Sequence, residues 1–169
     1  MNPQNTNHLP DLPLTCLKSA EFKKSSDAFE GKNVVIDFWT TKCERCPDAL
    51  DNLNNLAALP EYSNVKFTSI VLDECDGARN IIETPSDEPR WNNMQHFYMD
   101  KELKEQTKSR LGMKQVPFYV VLNNRGEIVQ KGSKKQVDFD DIPGMEKVEE
   151  ETKEEALSPE RMFCLDEDF

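Results

Sequence analysis

The sequence predicts one α/β domain, with a mixed central sheet flanked by helices. Strand and helix patterns alternate along the first half of the chain. In the second half, residues 123–126 (Asn-Asn-Arg-Gly) form a strong turn signal between two apolar segments, as in a β-hairpin. The 169 residues suffice for a single domain with its own core, and 37% apolar with 31% charged residues is typical of a soluble protein.

The first half of the chain carries the signals of two helices and two strands. Phe22 and Phe29 lie seven residues apart, which indicates an amphipathic helix around them. Residues 34–39 are β-branched and aromatic, as in a strand buried on both faces. The elements predicted here are a helix over 19–29, a strand over 34–39, a helix over 50–57 that Pro60 ends, and a strand over 65–72.

In the second half, the prediction rests on helix-breaking prolines as much as on the spacing of apolar residues. Pro85 and Pro89 break up the segment that contains them, which favours a loop. Leu103, Thr107 and Leu111 share one face of a charged helix. The predicted elements are a loop over 73–90, a short helix or strand over 91–99, a helix over 101–111, hairpin strands over 118–122 and 127–131, and a sparse helical pattern over 145–157.

Charge divides the chain into a nearly neutral body and an acidic C-terminal segment. Residues 138–169 contain 13 acidic and three basic residues, while residues 1–137 have a net charge of −1. We therefore predict a loose lead-in over 1–13, a body over 14–137 and an acidic helix or tail over 138–169. Neither part has the basic surplus that nucleic-acid binding requires. The acidic segment is interpreted as solvated, with a partner-docking site as the alternative.

The chain shows no sign of export or of membrane insertion. Its first ten residues lack a basic start and an apolar stretch of signal-peptide length. No apolar run approaches the roughly 18 residues of a membrane helix. We therefore expect a cytoplasmic, reducing location, where a close cysteine pair is more often catalytic or metal-binding than structural.

Cys43 and Cys46 form a C-x-x-C pair between a predicted strand and a predicted helix. A thiolate at a helix N-terminus is stabilised by free N–H groups and by the helix dipole, and Lys42 and Arg45 add positive charge. Cys46 follows one turn later, where it is placed to resolve a mixed disulfide formed at Cys43. The alternative is half of a zinc site, which needs two more ligands. The remaining candidates are scattered singly: Cys16, Cys75, Cys164, His8 and His96.

Residues 36–46 resemble the active-site strand and loop of the thioredoxin superfamily. Val116–Pro117 is similar to that family's cis-proline position, and Gly132 to its later glycine. The long insertion before the helix over 101–111 is more similar to the TlpA, tryparedoxin and nucleoredoxin branch. The chain departs from thioredoxins in the Glu-Arg dipeptide between its cysteines, in Lys42, which replaces a tryptophan, and in Phe118, which follows the proline.

The resemblance implies roles for residues around the pair. Asp37 would be a buried base that takes the proton of Cys46. The alternative without a function is a strand-end carboxylate that reaches solvent. Trp39 would be a substrate platform beside the disulfide or else part of the core. Val116 would offer its backbone to an extended substrate, next to a cis-Pro117.

The resemblance predicts a disulfide reductase that acts on protein disulfides or passes electrons to a peroxidase. The cysteine pair carries the electrons, so no bound cofactor is expected, and an upstream reductase must reduce the pair again. The alternative is a redox-inactive binding module that acts through its peptide groove or its acidic tail. The other three cysteines are expected to be free thiols, with a regulatory role as the alternative for Cys164.

Overall fold

The computed structural model describes residues 8–9, 11–83 and 90–146 of the chain. Within this part, seven strands and four α-helices alternate along the chain. The strands are β1 (Pro13–Cys16), β2 (Phe22–Lys24), β3 (Asn33–Trp39), β4 (Val65–Val71), β5 (Gln95–Met99), β6 (Phe118–Leu122) and β7 (Ile128–Gly132). The helices are α1 (Ser25–Ala28), α2 (Cys46–Ala57), α3 (Cys75–Glu83) and α4 (Lys104–Leu111).

The seven strands form one mixed sheet in the order β2-β1-β5-β4-β3-β6-β7. The three central strands β3, β4 and β5 run parallel, whereas β6 pairs antiparallel with both β3 and β7. The N-terminal strands add an antiparallel extension beside β5. The predicted mixed sheet with a C-terminal hairpin is therefore confirmed.

Helices cover both faces of the sheet, because its central strands are apolar on both faces. Helices α2 and α3 pack on one face, where Val35 and Trp39 of β3 point. Helices α1 and α4 adjoin the opposite face, where Ile36 and Phe38 point. This alternation along β3 follows from the two-residue period of a strand. No helix of the described part is long and apolar enough to cross a lipid bilayer.

Two predictions for local structure are wrong. The segment 19–29 contains strand β2 and the single turn α1 instead of one helix. Phe22 is 63% exposed on the sheet edge while Phe29 is in the core, so the two rings do not share a face. The segment 73–90 is not wholly a loop, because α3 occupies its first part and buries Ala78 and Ile82. Both prolines of that segment follow the helix in the sequence.

Packing extends beyond the predicted limits of the body on both sides. Leu12 is buried, and its N–H donates to the side chain of Ser25 at 2.8 Å. At the other end, Ile142 is buried and the Tyr62 hydroxyl donates to the carbonyl oxygen of Phe139 at 2.7 Å. Residues 138–146 therefore pack on the body although they belong to the acidic segment. Most of the helical pattern over 145–157 lies outside the described residues.

Candidate active site

The two cysteines lie where β3 gives way to α2. Strand β3 ends at Trp39 and α2 begins at Cys46, so Cys43 occupies the connecting loop. The two sulfur atoms form a disulfide, with the Cα atoms 5.4 Å apart. The N–H of Cys46 donates to the carbonyl oxygen of Cys43 at 3.4 Å, so the loop turns like a helix before α2 starts. Pro47 then fits the first turn, where an N–H has no intrahelical partner to lose.

Asp73 holds the loop from the end of β4. Its carboxylate accepts hydrogen bonds from the N–H of Thr41 at 3.0 Å and from the Thr41 hydroxyl at 2.8 Å. These bonds fix the start of the loop that carries Cys43. The sequence interpretation missed Asp73. The available signal was a carboxylate just after β4, because the carboxyl ends of β3 and β4 meet at one edge of a parallel sheet.

The two sulfur atoms differ in exposure. Cys46 has no exposed surface and packs in the core between α2 and the sheet. Cys43 is only partly buried. A disulfide in another protein can therefore approach the sulfur of Cys43, while that of Cys46 is shielded, in the order that the sequence predicted.

The carbonyl oxygen of Val116 faces the more exposed sulfur. Sγ of Cys43 lies 3.7 Å from this oxygen, and the Val116–Pro117 peptide bond is cis. Sγ carries no proton in the disulfide, so this is a contact here, whereas a thiol at the same place can donate to the carbonyl. Val116 lies just outside β6, and pairing of its backbone with an extended segment of a substrate stays a prediction.

A cavity of about 460 Å³ opens beside the disulfide. Its lining includes the basic side chains of Arg45, Lys134 and Lys135 and the acidic side chain of Asp48. Lys42 and Arg45 are solvent-exposed, and neither forms an ion pair with a described carboxylate. Positive charge next to the pair favours a thiolate. That these two residues lower the pKa of a reduced thiol stays a prediction.

Asp37 is completely buried on the same side of the sheet as Cys46. Side chains alternate along β3, and its neighbours Val35 and Trp39 pack in the core cluster that contains Cys46. Neither carboxylate oxygen of Asp37 has a hydrogen-bond partner in the described part. Burial raises the pKa of Asp37 well above its ordinary value. The interpretation as a strand-end carboxylate that reaches solvent is therefore wrong.

Trp39 belongs to the core, and its interpretation as a substrate platform is wrong. The residue is 1% exposed, and its ring packs edge-on against Trp91, with centroids 5.8 Å apart. A side chain enclosed in this way offers no face to a substrate. Its position two residues after Asp37 explains the burial, because both residues point toward the core under α2.

Among the described residues, the other cysteines and histidines form no metal-binding group with the pair. Cys16 and Cys75 are free thiols, as predicted, and Cys164 lies outside the described residues. His96 is partly buried and forms hydrogen bonds with Ser69 and with the backbone of Trp91. In the part of the chain that the structure covers, no three His, Cys, Asp or Glu side chains are grouped as ligands of a metal ion.

Comparison with solved structures identifies the same fold in known proteins. A protein described as a thiol:disulfide interchange protein DsbE, from Chlorobium tepidum, matches with a TM-score of 0.58 and 21% identity, over 75% of this chain and 83% of its own. The thioredoxin domain of a thiol-disulfide oxidoreductase from Bacteroides vulgatus matches with a TM-score of 0.60 and 20% identity, over 75% and 86%. An exposed lipoprotein thioredoxin from Streptococcus pneumoniae gives 0.58 and 19%, over 78% and 93%.

Comparison of the sequence with protein families identifies the family to which the chain belongs. No curated protein sequence matches the chain. A family model described as thioredoxin-like matches residues 31–128, which is more than half of the chain and contains both cysteines and Pro117. The solved structures agree in fold and are thiol-disulfide oxidoreductases by description. The chain therefore belongs to the thioredoxin-like family, and its fold is the one that these solved structures share.

Proposed function

We propose that this thiol–disulfide oxidoreductase reduces disulfides in proteins through a dithiol–disulfide cycle of Cys43 and Cys46. The observation that carries the proposal is the contrast between the two sulfur atoms. Cys43 is accessible beside the carbonyl of Val116, and Cys46 is buried behind it. Two-step exchange requires one sulfur that meets the substrate and one that only resolves.

In the first step, the Cys43 thiolate attacks one sulfur of the substrate disulfide. A bond forms between Cys43 and that sulfur, while the substrate disulfide breaks and its other sulfur leaves as a thiolate that takes a proton from water. The backbone of Val116 holds the substrate segment during this attack as an added strand. The product is a mixed disulfide between Cys43 and the substrate.

In the second step, Cys46 loses its proton to Asp37 and attacks the Cys43 sulfur. The bond from Cys43 to the substrate breaks, and the second substrate sulfur leaves as a thiolate that takes a proton from water. Two electrons have then passed from the cysteine pair to the substrate, and the pair is oxidised to the disulfide that the structure contains. A buried carboxyl with a raised pKa suits this role, because burial increases the affinity of Asp37 for a proton.

The substrates in this proposal are protein disulfides, including that of a peroxidase, and an upstream reductase returns the two electrons. The basic side chains at the cavity beside the pair, Arg45, Lys134 and Lys135, favour a substrate segment with acidic residues near its disulfide. The cytoplasmic location stays a prediction from the sequence.

Reduction of insulin disulfides by dithiothreitol, followed by turbidity, tests the proposal. The protein should accelerate the reaction, and Cys43→Ser should abolish the acceleration. Cys16→Ser is the matched control, because Cys16 is a free thiol outside the pair, and this variant should keep the wild-type rate. No acceleration by the wild-type protein would contradict the proposal and favour the redox-inactive binding module.

A further inference from the structure

One row of residues across the sheet carries polar side chains on the face that α2 covers. Asp37 on β3 lies opposite Ser69 on β4, and Ser69 lies opposite His96 on β5. On the other side, Asp37 lies opposite Tyr119 on β6. Opposite residues of neighbouring strands point to the same face of a sheet. The four residues therefore form one transverse row, here called the polar row, on the same face as Cys46.

The hydrogen bonds of His96 determine which atoms in the polar row donate and which accept. Its Nε2 lies 2.9 Å from the carbonyl oxygen of Trp91, and because a carbonyl only accepts, Nε2 carries a proton. Burial lowers the pKa of His96, so the ring is neutral and Nδ1 is unprotonated. The Ser69 hydroxyl, 2.6 Å away, therefore donates to Nδ1. Its oxygen still has lone pairs that can accept a proton from the neighbouring Asp37.

Several contacts hold His96 and its acceptor in place. Trp91 has a φ of 54°, a conformation uncommon for a residue other than glycine. Its Nε1 donates to the Asp51 carboxylate on α2 at 2.7 Å, and its ring packs against Trp39. Strained backbone persists where surrounding contacts determine it. The Trp91 carbonyl, which accepts the hydrogen bond from His96 Nε2, is thus positioned by the helix that carries Cys46.

The His96 end of the polar row meets a second cavity, of about 420 Å³. Exposed side chains of Lys18, Asn92 and Asn93 also line it, so the cavity reaches the protein surface. Asp37, by contrast, has no exposed surface of its own. The polar row therefore runs from a sealed carboxyl group to a place where water can take up a proton.

We propose that Ser69 and His96 relay the proton of Asp37 between the core and this cavity during disulfide exchange. The inference rests on the proposed function, in which Cys46 gives a proton to Asp37. Ser69 and His96 act through Asp37 and do not touch the sulfur atoms, so they are positioning residues. In the disulfide state Asp37 has no hydrogen-bond partner among the described residues, but neighbouring strands lie only about 4.8 Å apart. A rotation of the carboxyl group or one water molecule closes that gap.

The relay balances over a full cycle. When Cys46 is oxidised, its proton passes to Asp37 and from there to Ser69, whose own proton moves to Nδ1 of His96. Nε2 of His96 then exchanges its hydrogen bond to the Trp91 carbonyl for one to water and releases its proton into the cavity. When the disulfide is reduced again, Cys46 needs a proton, and the same transfers run inward. The two half-cycles therefore restore the original histidine tautomer, and no electron moves through the relay.

The charged groups around the polar row favour this route. On the β6 side, burial and the negative charge of Asp37 raise the pKa of Tyr119 far above its ordinary value, so the phenol keeps its proton and cannot accept another. At the second cavity, four cations and one carboxylate disfavour a lasting imidazolium, so His96 passes its proton on. These cavity-lining groups are Lys18, Lys66, Arg79, Arg90 and Glu83.

Stopped-flow reaction of the reduced full-length chain with 5,5′-dithiobis(2-nitrobenzoate) separates the two steps of the exchange. Cys16, Cys75 and Cys164 are replaced by serine in every variant, so that only the active pair releases thionitrobenzoate. The first release reports attack by Cys43, and the second reports resolution by Cys46. In the wild-type pair both phases are expected. Absence of the second phase there would contradict the proposed function itself.

Ser69→Ala and His96→Ala should slow the second release about tenfold and Asp37→Asn about a hundredfold, with the first release unchanged. Thr68→Val is the matched control, because it removes a buried hydroxyl from the opposite face of the same strand. It should keep the wild-type rate of resolution. Equal resolution rates in the Ser69→Ala and Thr68→Val proteins would overturn the relay while leaving the proposed function intact.

Added imidazole separates a relay from a structural role of His96. The His96→Ala protein has an open space beside the second cavity, so millimolar imidazole should restore most of its second-phase rate. The Ser69→Ala protein, which retains the ring, should gain nothing from imidazole. Failure of imidazole to accelerate a folded His96→Ala protein would overturn the relay. If the His96→Ala protein does not fold, a wild-type resolution rate in the Ser69→Ala protein alone would overturn the relay.

Discussion

The sulfur atom of Cys43 lies 3.7 Å from the carbonyl oxygen of Val116, a residue 73 positions later in the chain. Strands β3 and β6 are antiparallel neighbours in the sheet, so the loop after β3 meets the segment that leads into β6. The contact thus joins the more exposed sulfur to the backbone that we propose binds an extended substrate segment. Cys46, the first residue of α2, is buried in the core and has no such access.

The unequal exposure of the two cysteines predicts different phenotypes for their serine variants. Cys46→Ser should still attack a substrate but should not release it, so that partners accumulate as mixed disulfides on Cys43. Cys43→Ser should trap nothing. Non-reducing gel electrophoresis after incubation with disulfide-containing proteins measures the difference. Alkylation rates against pH should also show a lower pKa for Cys43 than for Cys46 in the reduced protein.

Two results would contradict these assignments. Trapping by the Cys43→Ser protein would make Cys46 the attacking residue, against its burial. Equal pKa values for the two thiols would mean that the loop and the basic side chains of Lys42 and Arg45 do not distinguish between them.

The bonds from Asp73 to Thr41 predict that Asp73 stabilises the active-site loop. Asp73→Ala leaves the N–H and hydroxyl of Thr41 without their acceptor, so we expect a loss of about 1–3 kcal/mol in the free energy of unfolding. Urea denaturation measures this loss. Asp76→Ala is the control, since its carboxylate is exposed and its ion pair with Arg79 lies at the surface. A loss no larger than that of the control would show that the loop holds its shape without Asp73.

The sequence predicts the central part of this fold because its signals there are local and strong. The run of apolar β-branched and aromatic residues in β3 has one low-energy location, a strand with both faces covered. The C-x-x-C spacing of Cys43 and Cys46 similarly indicates thiol–disulfide exchange, because it supplies an attacking and a resolving thiol. The prediction of elements at the sheet edge fails because their sequence signals are weak. Strand β2 has three exposed residues, so nothing in its pattern separates it from a helix.

The parts of the site that the sequence does not predict depend on register between distant strands. Asp37, Ser69 and His96 share a row only because β3, β4 and β5 pair with a particular alignment, and single-sequence patterns do not give that alignment. Trp39 illustrates the converse. An aromatic residue beside the cysteines suggests a substrate platform, but its place on the inner face of β3 buries it.

Residues 138–146 should contribute to stability even though they belong to the acidic segment. Ile142 is 3% exposed in the core cluster under α2, so Ile142→Ala should lower the free energy of unfolding by about 2–4 kcal/mol. Removal of residues 158–169, in contrast, should leave stability and disulfide reduction nearly unchanged. Urea denaturation of both variants measures the contrast. An Ile142→Ala protein as stable as wild type would show that this segment is not part of the core.

The buried carboxyl of Asp37 predicts that the stability of the disulfide form falls as pH rises. The unfolded chain releases this proton near the ordinary pKa of 3.8, whereas burial makes the folded protein keep it to a higher pH. Between these two pKa values the native state binds more protons than the unfolded state, so the contribution of Asp37 to stability declines with increasing pH. The limiting slope is about 1.4 kcal/mol per pH unit for one proton.

Asp37→Asn should remove this slope, because asparagine does not titrate. The free energy of unfolding from urea melts between pH 4 and pH 8 is the measurement, and the change with pH is compared rather than the absolute stability. Asp76→Asn is the matched control, since its side chain is 93% exposed and should leave the pH dependence as in the wild type. If the Asp37→Asn and wild-type proteins lose stability in parallel with increasing pH, the carboxyl of Asp37 is already ionised in the folded protein. It would then lack the proton affinity that exchange with Cys46 requires.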